Sequence, residues 1–322
     1  MNPSVNTSDP LQVCQGIPAR AAAVLARMPK VPAGWPGRFV RMPHGAFMHS
    51  VDRGAGRPVV MVHGNPSWSY LFRGLVEPLA KTRRVIIPDH IGCGMSDLAP
   101  LGYCFTLKER VADFGNLVHQ LAPTGPVDLI VHDWGGMIGL AWAVQNPTRV
   151  GRIVVMNTAG FGLPAGASIP MSLRMARTPG LGSLLIRGFN AFVRGAIRYG
   201  TVKPLSAEVQ AGFLAPYHTS DEREATLRFV EDIPLTQSHA SWNLVQNTSE
   251  NLGNLAEKPL MVLWGMKDFV FTQPFLDTWR TRRPDARCVE YPQAGHWLLE
   301  DVLEPCLAEI RNFLEPVHGS AT

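Results

Sequence analysis

The chain has 322 residues, of which 46% are hydrophobic and 17% are charged, with a formal net charge of +4. This balance predicts a globular protein with a sizeable core and argues against a disordered chain. The small charge, without Lys/Arg-rich runs or zinc patterns, argues against a nucleic-acid-binding protein, so no nucleic-acid partner is expected.

The cysteines and the apolar runs indicate the compartment. Five cysteines, an odd number without a CxxC pair, predict unpaired thiols in a reducing environment. No apolar run approaches the roughly 18 to 20 residues of a membrane span. The run at residues 21–26 is also shorter than a signal-peptide core of about 7 to 15 residues. A cytoplasmic location is therefore the expectation.

The chain begins with a segment that is rich in Pro, Ser and Ala. Residues 1–36 predict an N-terminal arm, in which residues 21–26 form a short surface helix. After it, short β-rich runs alternate with longer helical patterns, which is typical of a mostly parallel sheet flanked by helices, the α/β class. The predicted strands are residues 58–63, 85–88, 127–132, 152–156, 259–264 and 287–291. The predicted helices are residues 69–80, 107–121, 135–145 and 300–313.

The alternation stops in the middle of the chain. Residues 158–235 show only helical and loop patterns, between two core segments at 37–157 and 236–322. We interpret the insertion as a helical cap. A cap at this point lies over the carboxyl ends of the strands, where open α/β sheets place their ligand sites.

The sequence VDLIVHDWGG, residues 127–136, contains the central motif. A hydrophobic strand ends, one side chain is presented at Asp133, and Gly135 and Gly136 follow. This pattern predicts the nucleophile elbow of the α/β-hydrolase fold, with Asp133 where the common GxSxG form has serine and Val131 where it has its first glycine. A helix-capping aspartate is the alternative interpretation.

Candidate partners of Asp133 follow the late strands. Asp268 comes after strand 259–264 and His296 after the last strand, which is the order of nucleophile, acid and base in this fold. The other acid position, after strand 152–156, holds Asn157, which cannot act as a carboxylate. Asp268 is therefore the predicted orienting acid, and His296 the general base.

Two earlier loops complete the predicted site. His63-Gly64-Asn65-Pro66 brings backbone N–H groups beside the elbow, where they and the N–H of Trp134 can form an oxyanion hole. The side-chain amide of Asn65 and the indole N–H of Trp134 are neutral donors for a departing anion. In the loop after strand 85–88, Asp89 is interpreted as a holder of backbone amides, and His90 as a packing residue.

An aspartate nucleophile suits displacement at an alkyl carbon. A carboxylate with an ordinary pKa of about 3.9 is ionised at pH 7, and desolvation in a dry pocket strengthens it. The product of attack is an ester of Asp133, and His296, oriented by Asp268, activates a water to hydrolyse it. Neither a cofactor nor a metal ion is expected.

Five motifs bear a family resemblance. They are HGNPSWSYLFR (63–73), PDHIGCGMSD (88–97), HDWGGMIG (132–139), LWGMKD (263–268) and AGHW (294–297). Residues 38–315 resemble the haloalkane dehalogenases, whose elbow normally carries Val where Val131 stands. The stretches RGFNAF (187–192) and LRFVEDIPL (227–235) are similar to a subfamily that also contains the β-lactone decarboxylases of bacterial olefin biosynthesis. The resemblance implies a triad of Asp133, Asp268 and His296, with Asn65 and Trp134 at the leaving group.

The function has several candidates. Haloalkane dehalogenase ranks first and cis-β-lactone decarboxylase close behind, because both need the same triad and act on a small hydrophobic substrate. Epoxide hydrolase ranks third, since it needs cap tyrosines as proton donors and the cap offers only Tyr199 and Tyr217. A retired receptor or assembly subunit would have a broken triad. The sequence does not indicate an oligomeric state.

The predicted cap is basic. No acidic residue occurs between Asp133 and Glu208, a stretch that contains Arg149, Arg152, Arg174, Arg177, Arg187, Arg194, Arg198 and Lys203. The spacings of seven and four residues among Arg187, Arg194 and Arg198 predict one helix face. An ordinary solvated face is the simpler interpretation. The alternative is a basic surface that contacts an acidic partner or an anionic membrane.

Overall fold

The computed structural model describes Cys14 and residues 16–315. Most of the first half of the predicted arm, and residues 316–322 of the second core segment, lie outside the described residues. Within the described part, a sheet of eight strands has the order β1-β2-β4-β3-β5-β6-β7-β8. The strands are Arg38–Arg41 (β1), Phe47–Gly54 (β2), Pro58–Val62 (β3), Arg84–Pro88 (β4), Val127–His132 (β5), Val150–Met156 (β6), Leu260–Gly265 (β7) and Arg287–Tyr291 (β8).

The central strands are buried on both faces. Every residue of β5 and of β7 is buried, as expected for parallel strands that are covered by helices on both sides.

The core helices are Ala19–Arg27 (α1), Arg73–Ala80 (α2), Leu107–Leu121 (α3) and Trp134–Gln145 (α4). The cap segment contains Met171–Ala176 (α5), Leu181–Ser183 (α6), Ala191–Tyr199 (α7), Ala207–Leu214 (α8) and Glu224–Glu231 (α9). Trp242–Glu250 (α10), Gln273–Arg282 (α11), Leu298–Asp301 (α12) and Leu303–Leu314 (α13) follow.

The predicted α/β class is confirmed, and the six predicted strands correspond to β3 to β8 with small differences at their ends. The antiparallel strands β1 and β2 were not predicted. Two predicted helices are divided. Residues 69–80 form a 3₁₀ turn, Ser69–Phe72, before α2. The last predicted helix is interrupted at Val302, between α12 and α13.

The described part of the predicted arm is integrated into the fold. Ala21 and Val24 of α1 are completely buried in the core cluster on one side of the sheet. Arg20 donates to the carbonyl of Gly92 at 3.1 Å, and Arg27 forms a 2.8 Å ion pair with Glu222. The predicted helix is present, with Ala22 and Ala26 exposed, but its opposite face packs on the core and is not free on the surface.

The three cap arginines that were predicted to share one helix face lie on two separate helical segments. Arg187 lies in a π-helical turn, Leu184–Gly188, that ends before Asn190, whose φ of +54° separates it from α7. Arg187 forms ion pairs with Asp221 and Glu224 at 3.3 and 3.0 Å. The spacing predicts one helix face for Arg187, Arg194 and Arg198. The structure shows that this is wrong, because Arg187 does not lie on the same regular helix as the other two.

Two valines of the N-terminal segment test its packing. Val24→Ala is expected to lower the free energy of unfolding by about 2 kcal/mol, because it removes two methyl groups from a fully buried site. Val31 is 42% exposed, so Val31→Ala, the same chemical change, is expected to stay within about 0.5 kcal/mol. Urea unfolding measures both. Equal losses would show that α1 does not contribute to the core.

Candidate active site

The elbow holds Asp133 in a conformation that side chains rarely adopt. β5 ends at His132, Asp133 has a φ of +52°, and α4 begins at Trp134. A non-glycine residue in this region costs of the order of 1–3 kcal/mol, which the surrounding structure must offset. Gly135 packs against the backbone of Val62, and a Cβ there would collide with its carbonyl oxygen. The turn thus projects the Asp133 carboxylate from the carboxyl edge of the sheet.

The carboxylate of Asp133 is held by backbone donors. The N–H of Asn65 donates to Oδ1 at 2.6 Å, and the backbone N–H of the adjacent Trp134 also favours the charged form of the carboxylate. Gly64 makes this approach possible, because a Cβ at that position would collide with the Asp133 side chain. The two N–H groups occupy the positions of the predicted oxyanion hole. They stabilise negative charge on Asp133 and leave Oδ2 facing His296.

His296 connects Asp133 to Asp268. Its Nε2 lies 3.7 Å from Asp133 Oδ2, and its Nδ1 is hydrogen-bonded to Asp268 Oδ2 at 2.8 Å. The other oxygen of Asp268 accepts hydrogen bonds from the N–H groups of Val270 and Phe271 at 2.7 and 3.1 Å. The structure therefore brings together the three residues that the sequence predicted as a triad, in the order nucleophile, base and acid.

Asn157 is a further residue of this network. Its side-chain amide donates to Asp268 Oδ2 at 2.9 Å and to the carbonyl of Gly265 at 3.1 Å. Its Oδ1 accepts from the N–H of Gly265 at 2.7 Å. In the sequence pattern, Asn157 indicates only that a second acid is absent from this position. Its position at the end of a strand next to β7 is the signal by which this contact to Asp268 could have been found.

The charges of the site act on each other through its low-dielectric surroundings. Burial raises the pKa of Asp133, although His296 and the two backbone N–H groups oppose this effect. Burial lowers the pKa of His296, but the charge and hydrogen bond of Asp268 and the charge of Asp133 outweigh it, so the net shift is upward. A base must be neutral to accept a proton. His296 therefore loses the capacity to accept a proton as the pH falls through its pKa.

Asn65 and Trp134 both line the cavity above Asp133. One N–H of the Asn65 amide donates to the carbonyl of Thr226 at 3.2 Å, which leaves its second amide hydrogen for a ligand. The indole of Trp134 packs on Phe229, with ring centroids 5.3 Å apart. The cavity makes both side chains accessible to a ligand. Their role as donors to a leaving group stays a prediction.

The predicted supporting loop holds backbone amides as expected. Asp89 is completely buried and accepts hydrogen bonds from the N–H groups of Ser69 and Met95 at 2.7 and 2.9 Å. His90 is also buried, and its Nε2 donates to the carbonyl of His63 at 2.9 Å. Neither residue lines the cavity. They fix the loops that carry Asn65 and the first turn of the adjoining helix.

A large apolar cavity lies over the triad. Its volume is about 720 Å³, and Asp133 and His296 are at its base. Its walls come from α5, the Leu184–Gly188 turn, α7 and the loop after β7, with side chains such as Leu173, Ile186 and Phe271. Tyr199 lines the cavity, whereas the hydroxyl of Tyr217 is buried and donates to the carbonyl of Ser67 at 3.4 Å. The arrangement can bind a hydrophobic molecule and present one carbon to a carboxylate.

Residues 57–302 match the model of a family described as α/β-hydrolase fold. The chain belongs to the α/β-hydrolase fold family. The cis-3-alkyl-4-alkyloxetan-2-one decarboxylase of Shewanella oneidensis is 41% identical over 87% of this chain and 88% of its own length. The protein of the same name from Xanthomonas campestris pv. campestris is also 41% identical, over 84% of this chain and 93% of its own.

Haloalkane dehalogenases are further relatives. Haloalkane dehalogenase 2 of Mycobacterium tuberculosis is 31% identical over 82% of this chain and 90% of its own length. The crystal structure of haloalkane dehalogenase DatA from Agrobacterium tumefaciens C58 superposes with a TM-score of 0.76 at 24% identity. It covers 84% of this chain and 93% of the other. The resemblance seen in the sequence motifs is confirmed, and this α/β-hydrolase is an enzyme related to both groups.

The mutual influence of the charges is testable. Asp133→Asn is expected to lower the pKa of His296, because it removes a nearby negative charge. Asp268→Asn should lower it further, because the Asp268 charge has the larger effect and also accepts a hydrogen bond. NMR titration of the imidazole C–H signals measures both changes. Asp277→Asn, at an exposed position of α11, is the control. An unchanged His296 pKa in Asp133→Asn would show that the two side chains do not interact.

Proposed function

We propose that this α/β-hydrolase is a cis-β-lactone decarboxylase, which converts a 3,4-dialkyl β-lactone to an alkene and CO₂. The observation that supports this most is the 41% identity to two decarboxylases of that name, against 31% to haloalkane dehalogenase 2. Under this proposal the lactone stands ahead of the halide, which reverses the order suggested by the sequence motifs. The triad itself serves either substrate.

The cavity supports a substrate with long alkyl groups. Its volume of about 720 Å³ lies well inside the range of roughly 300 to 1,000 Å³ that accommodates drug-sized ligands. Apart from Asn65, Asp133 and His296 at its base, the walls are mainly aliphatic and aromatic. A short haloalkane would leave much of this space unfilled. Two alkyl chains that diverge from a four-membered ring would use it.

The first step opens the lactone. Asp133 Oδ2 attacks C4, the ring carbon bonded to the ring oxygen, and the C4–O bond breaks with its electrons remaining on that oxygen. The result is an ester between C4 and Asp133 and a carboxylate on C3. The spare amide hydrogen of Asn65 and the indole N–H of Trp134 are the neutral donors available for the carboxylate. Attack from the rear inverts the configuration at C4.

The second step releases both products. The bond between C3 and the carboxylate breaks, its electron pair forms the C3=C4 double bond, and the ester oxygen leaves C4 with its electrons. CO₂, alkene and the Asp133 carboxylate result, and neither water nor a proton is consumed. Negative charge moves from a desolvated substrate group to Asp133, which the N–H groups of Asn65 and Trp134 stabilise. Inversion followed by anti elimination keeps the alkyl groups cis.

A comparison of two substrates tests the proposal. The purified chain is incubated with a synthetic cis-3,4-dialkyl β-lactone and, separately, with 1-bromoalkanes of matched chain length. Gas chromatography follows the alkene and ion chromatography follows bromide. A higher kcat/KM for alkene formation, and a cis product, are expected. Asp133→Asn, which retains the shape but is a poor nucleophile, should abolish both reactions. Bromide release without alkene formation would contradict decarboxylation.

The role of His296 differs between the two reactions. Hydrolysis of an alkyl ester needs His296 to activate water, a contribution of about 10²–10⁴-fold. Fragmentation of the lactone-derived ester needs no base. His296→Gln is therefore expected to release one bromide per site and then accumulate an Asp133 adduct, visible by intact mass. With the lactone, the same variant should continue to turn over. Equal loss of both activities would indicate that water attacks the lactone-derived ester as well.

A further inference from the structure

The cavity opens on an exposed apolar rim in the cap and its neighbouring loops. Five residues that line the cavity also have large exposed side-chain areas: Leu163, Met175, Tyr199, Leu235 and Phe269. Tyr199 is 66% exposed. Isolated surface apolar residues are common, whereas an apolar group around a pocket entrance marks a site of interaction.

The apolar surface extends from the rim along the cap helices. Leu184 and Phe189 are 55% and 65% exposed. Leu184 precedes Leu185, which lines the cavity, although Leu184 itself does not. On α5, Met171 is 67% exposed and does not line the cavity, whereas the next residue, Ser172, does. The cap helices thus present one side to the cavity and a second apolar side to the exterior.

Cations lie beside this apolar surface. Arg174 adjoins Met175 on α5, and the guanidinium of Arg198 is 5.3 Å from the ring centroid of Tyr199. Arg194 and Lys203 are also exposed. Among the residues that the structure describes, these four have no acidic side chain in salt-bridge range, in contrast to Arg187. The combination of exposed apolar side chains with unneutralised cations is complementary to the interface of an anionic bilayer.

We propose that the cap surface formed by Leu184, Phe189, Arg194 and Arg198, together with the exposed apolar rim of the cavity, binds the surface of an anionic lipid bilayer. The arginines contact lipid phosphates, and Leu184 and Phe189 insert among the upper acyl chains. The cavity mouth then opens toward the hydrocarbon. No helix among the described residues has the length and hydropathy to span a bilayer. That a water-insoluble dialkyl substrate enters by this route rests on the proposed function.

Vesicle co-sedimentation tests the surface directly. The full chain is mixed with sucrose-loaded vesicles of phosphatidylcholine alone, or with one quarter phosphatidylglycerol, at low and high salt. Binding to the anionic vesicles that weakens with salt is expected. Each cation near the surface contributes about fivefold to partitioning. The double variant Arg194→Glu/Arg198→Glu should therefore lower the partition coefficient by more than about 25-fold.

Matched variants separate the cap from general charge and hydrophobicity. Arg41→Glu/Lys81→Glu makes the same change in net charge at exposed positions of the core and should reduce binding far less. Leu184→Gln/Phe189→Gln removes apolar groups that do not line the cavity, and should weaken binding at high salt. Leu101→Gln, at a fully exposed leucine outside the cap, should not. Circular dichroism confirms folding of each variant.

Three outcomes of the vesicle measurements would overturn the proposal: no preference for anionic vesicles, equal losses in the cap and core charge variants, or unchanged binding after Leu184→Gln/Phe189→Gln. Binding to polyglutamate without binding to vesicles would also overturn it, in favour of an acidic protein partner. The measurement contains no substrate. A failure of lactone decarboxylation would therefore leave its result unaffected, and the two proposals can fail independently.

Discussion

The site depends on one buried carboxylate held at a strained turn. Asp133 has a positive φ, its Oδ1 accepts a short hydrogen bond from the N–H of Asn65, and the apolar cavity begins directly above it. Burial disfavours the charge of Asp133, and the two backbone N–H groups favour it. A poorly solvated carboxylate with one oxygen directed at the cavity meets the condition under which a weak nucleophile can attack carbon. Gly64 and Gly135 permit this arrangement. A Cβ at Gly64 would collide with the Asp133 side chain, and a Cβ at Gly135 would collide with the carbonyl oxygen of Val62.

Much of this arrangement was predictable, because it follows from where strands end. Parallel strands place their carboxyl ends at one edge, so Asp133, Asp268 and His296 had to meet once their strands were identified. The contact between Asn157 and Asp268 follows from the same rule, because the strands that precede the two residues are neighbours in the sheet. The assignment of these residues to catalytic roles remains a prediction, which the geometry makes specific.

The features that were missed depend on tertiary contacts. β1 and β2 contain Arg, His, Ser and Asp, and several of these polar groups are satisfied only by distant partners, as in the ion pair of Arg38 with Asp52. Local hydrophobic periodicity cannot reveal such strands. α1 has the composition of a surface helix, and only the fold shows that Ala21 and Val24 meet the core. Arg187 does not share a helix face with Arg194 and Arg198, because Asn190 adopts a left-handed conformation between the two helical segments.

The choice between halide and lactone lies in what happens after the first bond is broken. A bromide ion leaves the substrate, so the Asp133 ester can proceed only by attack of water that His296 activates. A lactone keeps its leaving carboxylate on the adjacent carbon, and the ester can then break down within the same molecule. An intramolecular process of this kind gains the advantage of proximity, equivalent to a very high local concentration. For the lactone-derived ester, this intramolecular step is expected to outpace attack by water. The same triad can therefore support two reactions, and the structure of the substrate decides which one follows.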